Sequence, residues 1–169
     1  MTLRPWATYS RGSCGPFIAS PCRRTGPTAV RRARAPADRV YHAFNRRDLA
    51  VLRQVWSADP LAQLNNPLGG LLRGGDAIAE LYARVFDGPA RVMVTFGDIV
   101  EYADDTHAVF AGRETGTFTG RDGAELPLAI RTSRYFRYDP AAGRRAMLHH
   151  HGSIDDPVAL RAYQDAVAG

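Results

Sequence analysis

Arg134 stands in the alternating run Ile130, Thr132, Arg134, Phe136, and Arg113 in the run Val109, Ala111, Arg113, Thr115. In an extended chain every second residue shares a face. Apolar residues on both sides of each arginine predict that these faces are largely buried. A buried guanidinium needs a carboxylate partner or an anionic ligand. Arg134 and Arg113 are therefore candidate ligand-binding residues, with Phe136 beside Arg134. The competing reading is an arginine on an exposed sheet face at a dimer interface. Glu114 has the opposite parity to Arg113 and is a poor partner for it.

His149-His150-His151 is the other conspicuous group. On a strand only His149 and His151 share a face, and two ligands make an incomplete zinc site. Asp155 and Asp156 are needed at a helix start, so no metal is expected. A histidine facing a pocket can act as acid or base near neutral pH. The competing reading, packing against Tyr82 or Tyr41 with ordinary hydrogen bonds, is the favoured one. Asn66, just before Pro67, either offers donor and acceptor atoms to a ligand or forms a turn. Phe44 and Trp56 read as core residues.

The elements that must position these groups follow from periodicity. Val40, Tyr41 and Phe44, then Leu49, Leu52, Val55 and Trp56, recur every three or four residues, predicting helices over 37–47 and 49–57 with Asp48 capping the second. A short strand over 61–65 leads into the turn Asn66-Pro67-Leu68-Gly69-Gly70. A third helix carries Ile78, Leu81, Tyr82, Val85 and Phe86, with Asp76 as its expected cap and Gly88-Pro89 as its stop. Beyond Pro89 the period becomes two, predicting strands over 91–102, 107–119, 126–138 and 145–154. Turns at Asp104-Asp105, Asp122-Gly123 and Asp139-Pro140 to Gly143 separate them. Asp156 caps and Pro157 opens a last helix carrying Leu160, Tyr163 and Val167. Helices segregated from an antiparallel meander make an α+β domain.

Length and composition bound the function. The 169 residues favour one domain, and 45% apolar with 23% charged residues is ordinary for a globular chain. The formal charge of +5 is unevenly spread. Residues 1–35 hold seven arginines and no acid, whereas the rest holds 15 arginines against 17 acids. The basic character thus belongs to a tail, and nucleic-acid binding is not expected. Every basic residue is Arg, which excludes lysine Schiff-base chemistry. Cys14 and Cys22 fit no zinc or redox spacing. No apolar run approaches the about 18 residues of a membrane span, and a cytoplasmic location is expected. Residues 1–36 mix Pro, Gly, Ser, Thr and Arg without period, so a disordered extension is expected there, with the domain at 37–169. It loosely resembles an organelle transit peptide; an upstream extension from an early start codon fits better.

Two stretches resemble the NTF2-like superfamily, the cone-shaped α+β (cystatin-like) fold of ketosteroid isomerases, SnoaL-type cyclases and kinase association domains. The first runs from Leu64-Asn65-Asn66-Pro67 through Arg73-Gly74-Gly75-Asp76-Ala77-Ile78 to Tyr82, and is similar to the isomerase strand end and following helix. The second, Thr132-Ser133-Arg134-Tyr135-Phe136 with His149-His150-His151-Gly152-Ser153, resembles the last strands of association and SnoaL-like domains. The resemblance covers about residues 37–167.

It implies a ligand cone between the helices and a strongly curved sheet. It places Asn66 where the isomerases carry their general-base Asp, and an amide cannot take that proton. The strand over 126–138 has no carboxylate where a second acid is expected. The resemblance aligns Arg134 and Arg113 with pocket arginines of association domains, whose third arginine falls at Gly152. It turns His150 inward and sets Tyr41 roughly where isomerases keep an oxyanion-hole tyrosine, which makes these two the catalytic candidates. Ligand-binding candidates are Arg134, Arg113, Asn66, Tyr82 and Phe136. The leading expectation is a small-molecule-binding SnoaL-like domain of unassigned chemistry for an apolar ligand, one bearing a carboxylate, enolate or phenolate if Arg134 faces inward, without cofactor and homodimeric through its sheet. Alternatives are an isomerase, cyclase or hydratase, or a non-catalytic dimerisation module. An acid/base dyad in the cone would favour an enzyme, a lone arginine a binder, and a filled cone a scaffold.

Overall fold

The computed structural model describes residues 37–120 and 122–167. The expectations for residues 1–36, including both cysteines, lie outside the described residues. Helix α1 occupies residues 37–45, α2 Leu49–Val55, α3 Gly75–Asp87 and α4 Pro157–Val167. The strands are β1 Gln63–Asn65, β2 Leu71–Arg73, β3 Val92–Ala103, β4 His107–Thr119, β5 Glu125–Asp139 and β6 Arg144–Ser153. They form one sheet in the order β2-β1-β6-β5-β4-β3, in which only the β1–β6 pair is parallel among the described strands. The α+β cone expected from the sequence is the fold observed.

Local chemistry sets most boundaries. The Asp48 carboxylate accepts from Val51 N at the start of α2, and Asp156 Oδ1 accepts from the amides of Val158 and Ala159 ahead of α4. These side chains satisfy donors that a helix start leaves unpaired. Helix α3 corrects one expectation. It is entered through Gly74, at φ 80°, so Asp76 falls inside the first turn and provides no cap. There its charge meets the positive end of the helix dipole. Strand β2 was not foreseen either: its three residues pair back on β1 through the tight turn at Gly69 and Gly70, both at positive φ.

The sheet bends over the helices because two glycines let strands cross closely. A Cβ on Gly116 of β4 would lie 1.9 Å from the Met93 carbonyl oxygen of β3, and one on Gly112 would lie 2.6 Å from Gly97 O. A bulge follows between Gly97 and Val100, with Asp98 at φ 50°; bulges increase local twist. Asn45 at the end of α1 covers the free edge of β3. Its Nδ2 donates to Val94 O at 2.9 Å and its Oδ1 accepts from Val94 N at 3.0 Å.

The concave face carries the core. Phe110, Phe118, Phe136, Leu52, Leu64, Ile78, Met147 and Val40 are fully buried, and Phe110 meets Phe136 edge-on at 5.7 Å. Phe110 therefore belongs to this inner face and not to the outer one.

Candidate functional site

The inner face of β4, β5 and β6 can be read as rows of register partners. One row is Phe110, Arg134, His150; the next is Gly112, Thr132, Gly152; the third begins with Glu114 and Ile130. Leu64 of β1 extends the first row, opposite His150. The middle row bears one side chain and two glycines. Across this row the long Arg134 side chain reaches Glu114, Nη2 to Oε1 at 3.0 Å. Gly152 is itself tightly held: a Cβ there would approach Ile130 Cγ2 and Pro67 Cδ at 3.1 Å.

Glu114 is the centre of the cluster. Tyr41 of α1 donates its hydroxyl to the same Oε1 at 2.9 Å, and His150 Nε2 lies 3.6 Å from it. The Arg134 guanidinium carbon sits 4.3 Å from the centroid of the Tyr41 ring, a cation–π contact, and Tyr41 also stacks on Phe96 at 5.4 Å. Glu114, Arg134 and His150 are each about 5% exposed or less. Three sequence elements thus converge on one buried carboxylate.

These groups form the polar end of a cavity of about 60 Å³. Its walls are otherwise apolar, with Val40, Phe44, Val92, Val94, Leu128 and Ile130 among them. Half-buried Asn66, Pro67, Leu68, Leu81 and Val85 lie on the side nearer solvent. A water needs about 10–15 Å³, so the space suits a few waters or a small organic molecule. The cone is not filled.

Burial governs protonation here. It holds the hydroxyls of Tyr41 and Tyr163 above their ordinary range and pushes Tyr82 up to about 12, where Arg134 opposes and Glu114 assists. Burial and the positive charge of Arg134 hold His150 well below the usual histidine value. At neutral pH the tyrosines are protonated and His150 is uncharged. Both nitrogens of the His150 ring, and Arg134 Nε and Nη1, have no hydrogen-bond partner among the described residues. Buried polar groups without partners are uncommon and costly.

Tyr41, Tyr82, Asn66, Arg134 and His150 all line this cavity. Asn66 also forms its turn, since its Oδ1 accepts from Leu68 N at 3.0 Å. Two expectations are corrected. Arg113 is exposed on the outer face, because the inward parity of β4 is that of Ala108, Phe110, Glu114 and Phe118. Phe136 points inward but is sealed in the core against Phe110 and does not line the cavity. Glu114 was missed as a site residue. The signal was present: it is four residues from both Phe110 and Phe118, in phase with the largest side chains of its strand. Of the histidines, His150 faces in and His151 is exposed. Among the described residues no three His, Cys, Asp or Glu side chains are grouped to hold a metal.

A family model for the SnoaL-like domain matches residues 37–148, spanning all six strands up to the middle of β6. The chain belongs to the SnoaL-like domain family. Solved structures share the fold of this SnoaL-like domain. A ketosteroid isomerase-like protein from Erwinia carotovora atroseptica is similar at 22% identity and TM-score 0.66, over 78% of this chain and 99% of that one. A candidate dehydratase of the NTF2-like family from Streptomyces avermitilis is similar at 18% identity and TM-score 0.65, over 76% and 97%. An NTF2-like superfamily protein from Salmonella enterica serovar Typhimurium is similar at 21% identity and TM-score 0.64, over 75% and 90%. No curated protein matches the sequence. At these identities the likeness establishes the fold, and function has to be argued from the site. Among the described residues no helix is long and apolar enough to cross a membrane.

Proposed function

We propose that this SnoaL-like domain binds a small molecule with an apolar body and an oxygen acceptor at one end. The observation that carries the reading is the set of buried, unpartnered nitrogens on Arg134 and His150 at the polar end of an otherwise apolar cavity. Ligand pockets of this kind pair an apolar lining with a few fixed polar groups. An oxygen placed there gains charge-assisted hydrogen bonds to a guanidinium already fixed by Glu114 and Tyr41. Tyr82 and Asn66 contribute to the wall.

The test is titration with 2-pentanone, a small ketone, followed by amide resonances. Shifts should concentrate on Leu64, Ile130, Arg134 and His150. Arg134→Gln should weaken binding by about 1.5–3 kcal/mol, the scale of a hydrogen bond to a charged group. Shifts scattered over the surface, or unchanged affinity in a folded Arg134→Gln variant, would remove the reading.

A second reading, an isomerase-, cyclase- or hydratase-type enzyme, is favoured by one contact. Tyr41 donates its hydroxyl to the Glu114 carboxylate at 2.9 Å in the cavity wall, an acid and a base in contact as general acid–base chemistry requires. Exchange of the ketone's α-hydrogens in deuterated water, above the buffer rate and lost in Glu114→Gln, would support it. No exchange above buffer leaves a binding domain.

A further inference from the structure

We propose that Glu114 sets the charge class of the ligand, so that the cavity takes an uncharged oxygen acceptor such as a ketone or aldehyde carbonyl in preference to a carboxylate. The inference rests on the reading of this cavity as a ligand site.

The titratable groups lining the cavity are Tyr41, Tyr82, Glu114, Arg134, His150 and Tyr163. The three tyrosines and His150 are uncharged at neutral pH, for the reasons given above. Only Arg134 and Glu114 carry charge, and they are bonded to each other at 3.0 Å. The polar end therefore sums to zero before any ligand enters. One end of the guanidinium is taken by Glu114 and the Tyr41 ring covers the cation at 4.3 Å, so its charge is already balanced.

A carboxylate entering this end would have to leave water and sit beside both Arg134 and Glu114. Its attraction to the first is offset by repulsion from the second, and no further cation lines the cavity. The cost of desolvating the anion then stands uncompensated. A carbonyl loses much less on leaving water and still accepts from the free nitrogens of Arg134 and His150. Unfilled donors with a balanced charge thus select for a neutral acceptor. An arginine in an apolar cone without Glu114 would select the opposite.

The experiment compares 2-pentanone with butyrate, which has the same number of heavy atoms and an oxyanion in place of a methyl group. Amide-resonance titrations at neutral pH should give the ketone an affinity about tenfold or more above that of butyrate, a specificity set by an unpaired charge. Glu114→Gln should reverse the preference towards butyrate by a similar factor. Butyrate binding as tightly as the ketone to the native protein would overturn the inference while leaving the ligand site standing. So would a folded Glu114→Gln variant with an unchanged ratio. Binding of neither probe would overturn both. The native ratio decides the matter even if the variant does not fold.

Discussion

Arg134 and Glu114 meet although they are not partners in the sheet. Arg134 lies opposite Phe110 and Glu114 opposite Ile130, yet Nη2 and Oε1 are 3.0 Å apart. The row between them is Gly112, Thr132, Gly152, and the arginine side chain reaches across it. The bond ties two rows of the concave face together at the polar end of the cavity.

The two charges should be unequal in what their loss does. Glu114→Leu alone strands a buried guanidinium and should destabilise the fold by about 3–5 kcal/mol. Glu114→Leu combined with Arg134→Met removes both charges and should recover most of that loss. Urea unfolding of the native protein, both single variants and the double variant gives the cycle. Additive losses would show that the pair is not coupled.

Tyr41→Phe isolates the hydroxyl. The ring can still stack on Phe96 and cover Arg134, while Glu114 loses one donor. A loss of about 1.5–3 kcal/mol is expected for a hydrogen bond to a charged group. A thermal midpoint unchanged from the native protein would mean that the bond is replaced by another donor.

Stability should fall on mild acidification. The folded state holds His150 below its unfolded value, so the unfolded chain binds a proton that the folded chain refuses. Below the unfolded value of about 6.5, unfolding is then favoured by about 1.4 kcal/mol per pH unit until the folded group titrates. His149, lowered by burial, acts in the same direction. Urea midpoints at about pH 7.5 and about pH 5.5 should differ in the native protein and differ much less in His150→Gln. An equal slope in both would assign the effect elsewhere.

Gly116→Ala tests the bend. The added methyl would sit 1.9 Å from the Met93 carbonyl oxygen, and backbone atoms cannot turn aside as a flexible side chain can. The cost should reach the upper end of the about 1–3 kcal/mol of an overpacked core, or exceed it. Gly143, at φ 63° with nothing near its Cβ position, serves as the comparison, where only backbone strain is added. A Gly116→Ala protein as stable as Gly143→Ala would show that the strands can move apart.

The outer face of the sheet is where the expected homodimer would form. Met93, Thr95, Thr115, Pro127 and Ala129 are exposed there in adjoining rows without a charge, and helices cover only the other face. Sedimentation at micromolar concentration is expected to give a dimer that Thr115→Arg disrupts. A native monomer would count against this surface as an interface.

The sequence by itself determined the elements and several of the site residues, because those depend on local periodicity and on side chains that act within a few residues. The period-two run through Ile130, Thr132, Arg134 and Phe136 set the inward face of β5, and Asp48, Gly88 and Asp156 marked helix ends through bonds to their own neighbours. The start of α3 was misplaced because Gly74 enters it through backbone conformation alone. Only the tertiary structure decided which parity of β4 faces in. Apolar residues occur on both parities, so Arg113 and Glu114 could not be separated by pattern. What separates them is the pairing of β4 with β5 and the bend at Gly112 and Gly116, which turns the face of Phe110 and Phe118 towards the helices. Tyr41 and His150 reach the same carboxylate for the same reason: they arrive from α1 and β6, far apart in the chain, and nothing local records that they meet.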